Sequence, residues 1–391
     1  MIQKITIENF KCLKNLSFPC RNLNLLTGRN GMGKSSLIQL LLLLRQSHIK
    51  GAWDEKEKYI SLNGNYINIG AYEDAIYQDF ERGKDYIKIL IGFSEVETFW
   101  KIKSYYETGN ESTDIPLVSH NITKKLFSEA LFANGKFQFI QAERGGLRDD
   151  LPANDRMVKN KDFGKDGNLA MHYFIQNSTK KIPLKNLRHP DTPEEDDLLQ
   201  TQVNAWLSEI SPNIKVEPKY HQSDKTKIIP LFSYLTGDIP KKPFKAKNIG
   251  FGVSYVFSVV MSILTAGEDD LIIIENPEAH LHPRGQSKLA ELCALAARNG
   301  VQIFLETHSD HVLNGIRIAV KEYYKNSEWG IKEDWVNIFY FDRHQEEHFS
   351  IVTLINVDKN GKLYKIEKNG KSVNIPKGFF DEWSNALAEL I

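Results

Sequence analysis

The stretch that decides the fold reads Gly28-Arg-Asn-Gly-Met-Gly-Lys-Ser35. An apolar run at residues 23–26 precedes it, and a long apolar run at residues 35–44 follows it. A glycine-rich turn between a strand and a helix matches the phosphate-binding pattern G-x-x-x-x-G-K-[ST] in full. The glycines let successive backbone N–H groups point at a phosphate, and the helix N-terminus adds partial positive charge. The pattern predicts a strand–loop–helix unit that binds a nucleotide.

Two side chains of this loop have the chemistry that a nucleoside triphosphate requires. We expect Lys34 to place its charge between the β- and γ-phosphates and the Ser35 hydroxyl to bind Mg²⁺. The candidate nucleotide-binding residues of the loop are Gly28, Asn30, Gly31, Gly33, Lys34, Ser35 and Ser36.

Two later apolar runs end in side chains that suit the same chemistry. Residues 271–274 fit a strand buried on both faces of a parallel sheet, with Glu275 at its carboxyl end. Glu275 is expected to complete the Mg²⁺ shell, directly or through water. Residues 301–305 precede His308, which could bond the γ-phosphate or the attacking water. Taken alone, either could be a solvated strand end or a structural histidine, but their order after the phosphate loop favours a functional site.

Composition excludes little by itself. The chain has 391 residues, with 50 basic and 50 acidic side chains, so its formal net charge is zero. A neutral total excludes neither a nucleic acid nor a protein partner, because binding depends on local patches. The three cysteines form no CxxC pair. Since no signal peptide and no apolar run of ~20 residues is present, we expect a cytoplasmic protein without a membrane segment.

The order of strands and helices predicts an α/β protein with a mixed sheet core. Strands alternate with helices after residue 248, which indicates a parallel sheet covered by helices. We predict four parts: an N-terminal ATPase lobe with the phosphate loop, a helical insertion rich in lysine, a C-terminal ATPase lobe, and a small α+β subdomain. Their bounds are residues 1–150, 151–247, 248–340 and 341–391.

Several motifs together resemble known ATPases. They are Ile-Glu-Asn-Phe-Lys at residues 7–11, Glu-Asn-Pro-Glu-Ala-His-Leu-His-Pro at 275–283 and Glu-Thr-His-Ser at 306–309. With the phosphate loop, they resemble the ABC-type ATPase heads of SMC and RecF-like proteins, and even more the ATPase half of OLD-family proteins. The ending Pro-Lys-Gly-Phe-Phe-Asp-Glu at 376–382 resembles a C-terminal domain of unknown function on predicted bacterial ATPases in antiphage loci. The resemblance implies ATP and Mg²⁺ as cofactors.

The resemblance also implies roles for further residues. Residues 248–254 occupy the place of the ABC signature, so Gly252 and Ser254 would reach the γ-phosphate of ATP bound to a second copy. Such contacts imply a homodimer closed around two ATP molecules, with higher oligomers left open; an ordinary helix N-terminus is the alternative. Gln141 resembles the glutamine that senses Mg²⁺, although the neighbouring Arg144 and Arg148 could be the functional members.

One position departs from the family pattern. Most ABC ATPases have a glutamate where this chain has Asn276, and an amide cannot take a proton from water. Either Glu278 replaces that glutamate, or hydrolysis is slow and ATP acts mainly as a clamp. The candidate catalytic residues are Glu275, Asn276, Glu278 and His308.

The resemblance implies that the dimer regulates a separate effector, expected to be a nuclease, in a bacterial antiphage system such as Septu. The short stretch after Ser309 holds no Glu plus Asp-x-Asp set of the kind that a nuclease needs. The alternatives are a scaffold that binds ATP without hydrolysis and a RecF-like clamp on DNA. The lysines that would hold DNA in the second case are Lys159, Lys161, Lys180, Lys181, Lys241, Lys242, Lys245 and Lys247.

Overall fold

A computed structural model describes residues 1–81, 85–102, 113–146, 148–237, 239–248, 251–326, 328–367, 372–373, 375–376 and 378–380. The chain divides into two compact units. Unit 1 comprises residues 1–133, 337–355 and 365–391, and unit 2 comprises residues 134–336 and 356–364. None of the described helices is long and apolar enough to cross a membrane.

An antiparallel sheet forms one half of unit 1. Its strands are β1 (Ile2–Phe10), β2 (Leu13–Pro19), β4 (Tyr59–Ser61), β5 (Ile87–Phe93), β6 (Glu97–Ile102) and β7 (Asp114–His120). They lie in the order β2-β1-β5-β6-β7-β4. Alternate residues of β5, such as Ile89 and Ile91, are fully buried, so one face of the sheet lies in the core.

The other half of unit 1 carries the phosphate loop. Its elements are β3 (Leu23–Gly28), α1 (Lys34–Ile49), β18 (Val336–Arg343), β19 (Ser350–Val357), β20 (Leu363–Ile366) and β21 (Ser372–Val373). Strands β3, β18 and β19 are neighbours in that order. All five leucines at residues 40–44 are at most 1% exposed. Because five successive leucines cover every side of α1 at its centre, this part of the helix lies in the interior of the unit.

A parallel sheet forms the core of unit 2. Its strands are β8 (Phe137–Ile140), β16 (Leu271–Glu275) and β17 (Gln302–Glu306), and β16 pairs with both others. The helices that follow are α5 (Phe251–Leu264), α6 (Pro283–Arg298) and α7 (Asp310–Lys325). The register pairs Glu275 with Glu306 and Ile274 with Ile140. The carboxyl ends of the three strands therefore meet at one edge of the sheet, where ligands bind in such folds.

The segment 151–247 differs from the expected helical insertion, because it is mixed. Its helices are α2 (Asp155–Lys159), α3 (Ala170–Asn177) and α4 (Leu199–Ile210). Its strands are β9 (Leu151–Pro152), β10 (Ile214–Val216), β11 (Lys219–Tyr220), β12 (Lys227–Ile229), β13 (Leu231–Thr236), β14 (Ile239–Pro240) and β15 (Phe244–Lys245). Short strands pair into small sheets here, with β12 between β9 and β11, and β13 beside β10, β14 and β15.

The two units also cut across the four predicted parts. Residues 337–355 belong to unit 1 with the N-terminal lobe, because β18 and β19 lie beside β3. Residues 381–391, the end of the predicted α+β subdomain, lie outside the described residues.

Candidate nucleotide-binding site

The phosphate loop has a backbone that only glycine adopts easily. Gly28 has a φ of 134° and Gly33 a φ of 104°, both in the left-handed region. A Cβ atom on Gly28 would lie 2.2 Å from the carbonyl oxygen of Phe341, and one on Gly33 would lie 2.3 Å from Oγ of Ser350. Both positions therefore require glycine for conformational and steric reasons, independently of any ligand.

The loop ends at a helix N-terminus without a side-chain cap. Helix α1 begins at Lys34, its N-cap is Gly33, and its first turn has no acidic residue. A helix N-terminus without a side-chain cap, together with the helix dipole, favours an anion. Lys34 is 3% exposed, and its Nζ donates to the carbonyl oxygens of Gly28 (3.0 Å) and Arg29 (2.9 Å). These features fit a polyphosphate, with the lysine charge held inside the loop.

Two residues outside the loop, Ser350 and Cys12, contact it. Ser350 is 2% exposed; its Oγ donates to the carbonyl of Met32 at 2.7 Å, and its N–H donates to the carbonyl of Cys12 at 2.8 Å. The thiol of Cys12 lies 3.5 Å from Oγ of Ser36. Because these contacts join β19, the turn after β1 and the loop, they fix the loop before any ligand binds.

In unit 2, the half-buried Glu275 ends β16, the middle strand of the parallel sheet. Its Oε2 accepts a hydrogen bond from the N–H of Ala142 at 3.1 Å. Burial raises the pKa of the Glu275 carboxyl, while the Ala142 N–H and the charge of Arg144 oppose that rise. A bound cation would likewise favour the charged form of this carboxylate.

Asn276, directly after the strand, has left-handed backbone. Its φ is 45°, its N–H donates to the carbonyl of Glu306 at 2.9 Å, and its carbonyl accepts from Arg144 Nη2 at 3.1 Å. Asparagine adopts this region more readily than most residues. The departure from the usual glutamate thus has a backbone reason as well as a chemical consequence.

The loop that carries His308 is attached to the turn after β16. The N–H of His308 donates to Oε1 of Glu278 at 2.9 Å, and the His308 side chain is exposed. Ser309 caps α7 by accepting from the N–H groups of His311 and Val312. Its hydroxyl also bonds the side chain of Gln286. Glu278 therefore positions the His308 backbone and leaves the imidazole open to solvent.

Gln141 directly follows β8, next to Ala142, whose N–H binds Glu275 at the end of β16. Its Nε2 donates to Oδ1 of Asp166 and to the carbonyl of Glu143, both at 2.6 Å. The amide N–H₂ is thus held by protein acceptors.

The signature segment starts α5 next to the same turn. Gly252 is buried, and a Cβ on it would lie 2.4 Å from the carbonyl oxygen of His280. The rings of Tyr255 and His280 meet edge to face with centroids 5.0 Å apart. Oγ of Ser254 is buried, without a hydrogen-bond partner among the described residues. Gly250, which belongs to the same motif, lies outside the described residues.

Comparison with protein families identifies the chain. A family model described as "AAA ATPase domain" matches residues 1–183 and 54–313, which include the phosphate loop, Glu275 and His308. The chain belongs to the AAA ATPase domain family. Residues 331–390 match a second model, described as "Protein of unknown function (DUF3696)". This second match includes residues 376–382, the motif that resembles a C-terminal domain of unknown function.

Solved structures similar to this AAA ATPase include head domains of SMC proteins. An SMC head bound to the C-winged helix domain of ScpA is 12% identical, with a TM-score of 0.49, and the match covers 92% of this chain and 98% of that one. An SMC head from Thermotoga maritima is 12% identical, with a TM-score of 0.41, over 91% and 99% of the two chains. An SMC head bound to the C-terminal domain of ScpA from Pyrococcus furiosus is 12% identical, with a TM-score of 0.49, over 91% and 96%. No curated protein matches.

The candidate residues of the AAA ATPase fall into two sets, one in each unit. In unit 1, Lys34 is buried, whereas Asn30, Gly31 and Ser35 are exposed on the loop. In unit 2, the structure brings together the segments that carry the remaining candidates. These are Gln141, Gly252, Ser254, Glu275, Asn276, Glu278 and His308. Arg148, an alternative to Gln141, is exposed.

Sequence reasoning missed the residues that support these sets. Cys12, Phe341 and Ser350 contact the loop through the fold alone, since more than 300 positions separate Ser350 and Phe341 from it. No spacing in the sequence indicates such a pair. Arg144, which the sequence offers as an alternative to Gln141, donates from Nη2 to the carbonyls of Glu275 and Asn276 in the turn after β16.

Proposed function

We propose that this AAA ATPase binds ATP with Mg²⁺ through its phosphate loop and hydrolyses ATP slowly. The geometry of the loop carries the proposal: an uncapped helix N-terminus, two glycines that tolerate no side chain, and a buried lysine. Lys34 would hold the β- and γ-phosphates, the backbone N–H groups of residues 31–36 would bind the remaining phosphate oxygens, and Ser35 would hold Mg²⁺. When bound, Mg²⁺ neutralises charge that develops on the phosphates.

Slow hydrolysis follows from the groups available at the end of β16. Asn276 is an amide and cannot accept the proton of the attacking water. Glu278 keeps one carboxylate oxygen, Oε2, free of any hydrogen bond within the described part of the chain, whereas Oε1 holds the His308 loop. We assign Glu278 the role of proton acceptor, with Glu275 and Gln141 directed to Mg²⁺ and His308 to the γ-phosphate. The rate would be low because Glu278 also serves as a structural anchor.

We further propose that two copies close around two ATP molecules. The resemblance to ABC-type ATPases implies that the signature segment reaches the γ-phosphate of ATP on a second chain, so each site would need two copies. Support comes from the exposure of the loop residues Asn30, Gly31 and Ser35, which leaves the phosphate side of the loop accessible. Gly252 and Ser254 would contribute from the partner after a rearrangement, because in this conformation both are turned into their own unit.

The proposed partner of this dimer is a separate effector, a nuclease, in a bacterial antiphage system. The motifs at residues 275–283 and 306–309, which resemble those of OLD-family ATPases, support this assignment. Co-purification with the product of the neighbouring gene, dependent on ATP, would support an effector; an ATPase that purifies alone under all nucleotide conditions would contradict it.

A clamp on DNA is the alternative, and the insertion gives it limited support. Four of the eight lysines that it would use form ion pairs with carboxylates: Lys161 with Asp270, Lys181 with Asp197, and both Lys245 and Lys247 with Asp149. Each of these pairs offsets charge that DNA phosphates would require. A DNA affinity that falls steeply with salt would favour the clamp.

The decisive experiment measures elution mass and phosphate release with and without ATP–Mg²⁺, for the wild type and Lys34→Ala. We expect a dimer that forms with ATP and a slow turnover, both lost in Lys34→Ala. ATP binding without phosphate release would instead support a scaffold. An assembly indifferent to nucleotide, with no phosphate released, would reject the ATP switch.

A further inference from the structure

Arg144 is a buried cation at the turn that follows β16. Its side chain is 5% exposed, and its Nη2 donates to the carbonyl oxygens of Glu275 (2.5 Å) and Asn276 (3.1 Å). A guanidinium presents several donors in a rigid plane, so one nitrogen can bridge two successive carbonyls. The two carbonyls lie where the backbone changes from strand to the left-handed conformation of Asn276. Arg144 thus holds the backbone at the point that aims Glu275 and Asn276.

The other donors of Arg144 are unused. Within the described residues, its Nε and Nη1 are buried without a hydrogen-bond partner, as are Oε2 of Glu278 and Oγ of Ser254. Arg144 and Ser254 line one cavity of about 30 Å³, which has room for a water molecule. A buried group left without a partner costs about 1–3 kcal/mol, and more when it is charged. A fold that only needed packing here would favour an apolar side chain.

Three segments meet at this guanidinium. It belongs to the loop after β8, it bonds the turn after β16, and its Cζ lies 5.9 Å from the ring centre of Tyr255 on α5. Burial lowers the pKa of Arg144 to about 10, and the charge of Glu278 is the first of the interactions that oppose this decrease. Arg144 therefore stays charged at neutral pH and attracts the Glu278 carboxylate, which anchors the His308 loop.

We propose that Arg144 is a positioning residue for ATP hydrolysis: it holds the turn from Glu275 to Glu278 in the conformation that aims both carboxylates. This inference rests on the proposed function. Arg144 acts through these two side chains, and its hydrogen bonds to Glu275 and Asn276 and its contact with Tyr255 all lie in unit 2. Its loss should therefore affect turnover and leave ATP binding by the phosphate loop intact.

The test compares Arg144→Gln and Arg144→Lys with a matched arginine, Arg298. Arg298 also has a buried nitrogen, Nη1, to which no described residue offers a hydrogen bond, and its Cζ lies 5.6 Å from the ring centre of Tyr323. Arg298→Gln thus removes a similar guanidinium away from the turn. We expect Arg144→Gln to lower kcat on the order of 100-fold, the cost of a misplacement of about 1 Å, with a KM and an ATP Kd within about threefold of wild type. Arg144→Lys keeps the positive charge but lacks the planar guanidinium, so its kcat should lie between those of Arg144→Gln and the wild type.

Arg298→Gln should keep the wild-type kcat. If both Arg144 variants keep it too, the positioning role is rejected. It is also rejected if Arg144→Gln and Arg298→Gln lose kcat and thermal stability in parallel, since the effect would then be structural. If Arg144→Gln does not fold, Arg144→Lys alone tests the positioning role. A Lys variant with the wild-type kcat would contradict the need for a guanidinium at this position. Absence of phosphate release by the wild type would instead reject the proposed function itself.

Discussion

Removal of one hydroxyl group at Ser350 should weaken ATP binding at a loop more than 300 residues away. Oγ of Ser350 donates to the Met32 carbonyl at 2.7 Å, in a position that is 2% exposed. Ser350→Ala keeps the N–H bond to the Cys12 carbonyl but removes this donor from the carbonyl of the half-buried Met32. Such a loss costs about 1–3 kcal/mol.

The size of the effect on affinity depends on where that cost falls. If it falls on the loop conformation that binds phosphate, each 1.4 kcal/mol raises the Kd about tenfold, so the expected increase is roughly 5- to 150-fold. Titration with a fluorescent ATP analogue in the presence of Mg²⁺ measures it. Thr353→Ala removes a hydroxyl from the same strand, three residues further on, and should leave the Kd unchanged. A Kd of Ser350→Ala within twofold of wild type would refute the claim that β19 supports the loop.

Two further predictions concern unit 2. Asn276 has a φ of 45°, and left-handed backbone costs a residue with an ordinary Cβ about 1–2 kcal/mol. Asn276→Glu, which introduces the usual carboxylate, should therefore be less stable to urea than Asn276→Gly; equal urea midpoints of the two variants would show the reasoning to be wrong. His172 is 1% exposed, its Nδ1 accepts from the Asn154 N–H at 3.0 Å, and burial lowers its pKa against the opposing charge of Asp155. The folded-state pKa of His172 lies below its unfolded value of about 6.5. The contribution of His172 to the unfolding free energy is therefore constant above about pH 6.5 and falls as the pH drops from that value towards the folded-state pKa. Urea midpoints at pH 7.5 and 5.5 should differ less for His172→Gln than for the wild type, and equal differences would contradict a role for His172.

The sequence by itself determined the strand–loop–helix unit and the strands that end in Glu275 and before His308. These features depend on local patterns: glycines where the backbone must turn, apolar runs that a buried strand or helix requires, and polar side chains at the strand ends. The runs at residues 23–26, 271–274 and 301–305 all form strands, and the run at 35–44 forms helix α1. Their order along the chain was enough to indicate an α/β nucleotide-binding protein.

Only the tertiary structure decided what supports these segments. The contacts of Ser350 with Met32, of Phe341 with Gly28 and of Arg144 with the turn after β16 join residues that no sequence spacing relates. The mixed character of residues 151–247 was likewise hidden, because two- and three-residue strands form only where a partner strand supplies the hydrogen bonds. Local patterns encode which backbone conformations a segment can adopt, whereas long-range contacts depend on how the whole chain packs. Residues that act by supporting other residues therefore become visible only in the folded protein.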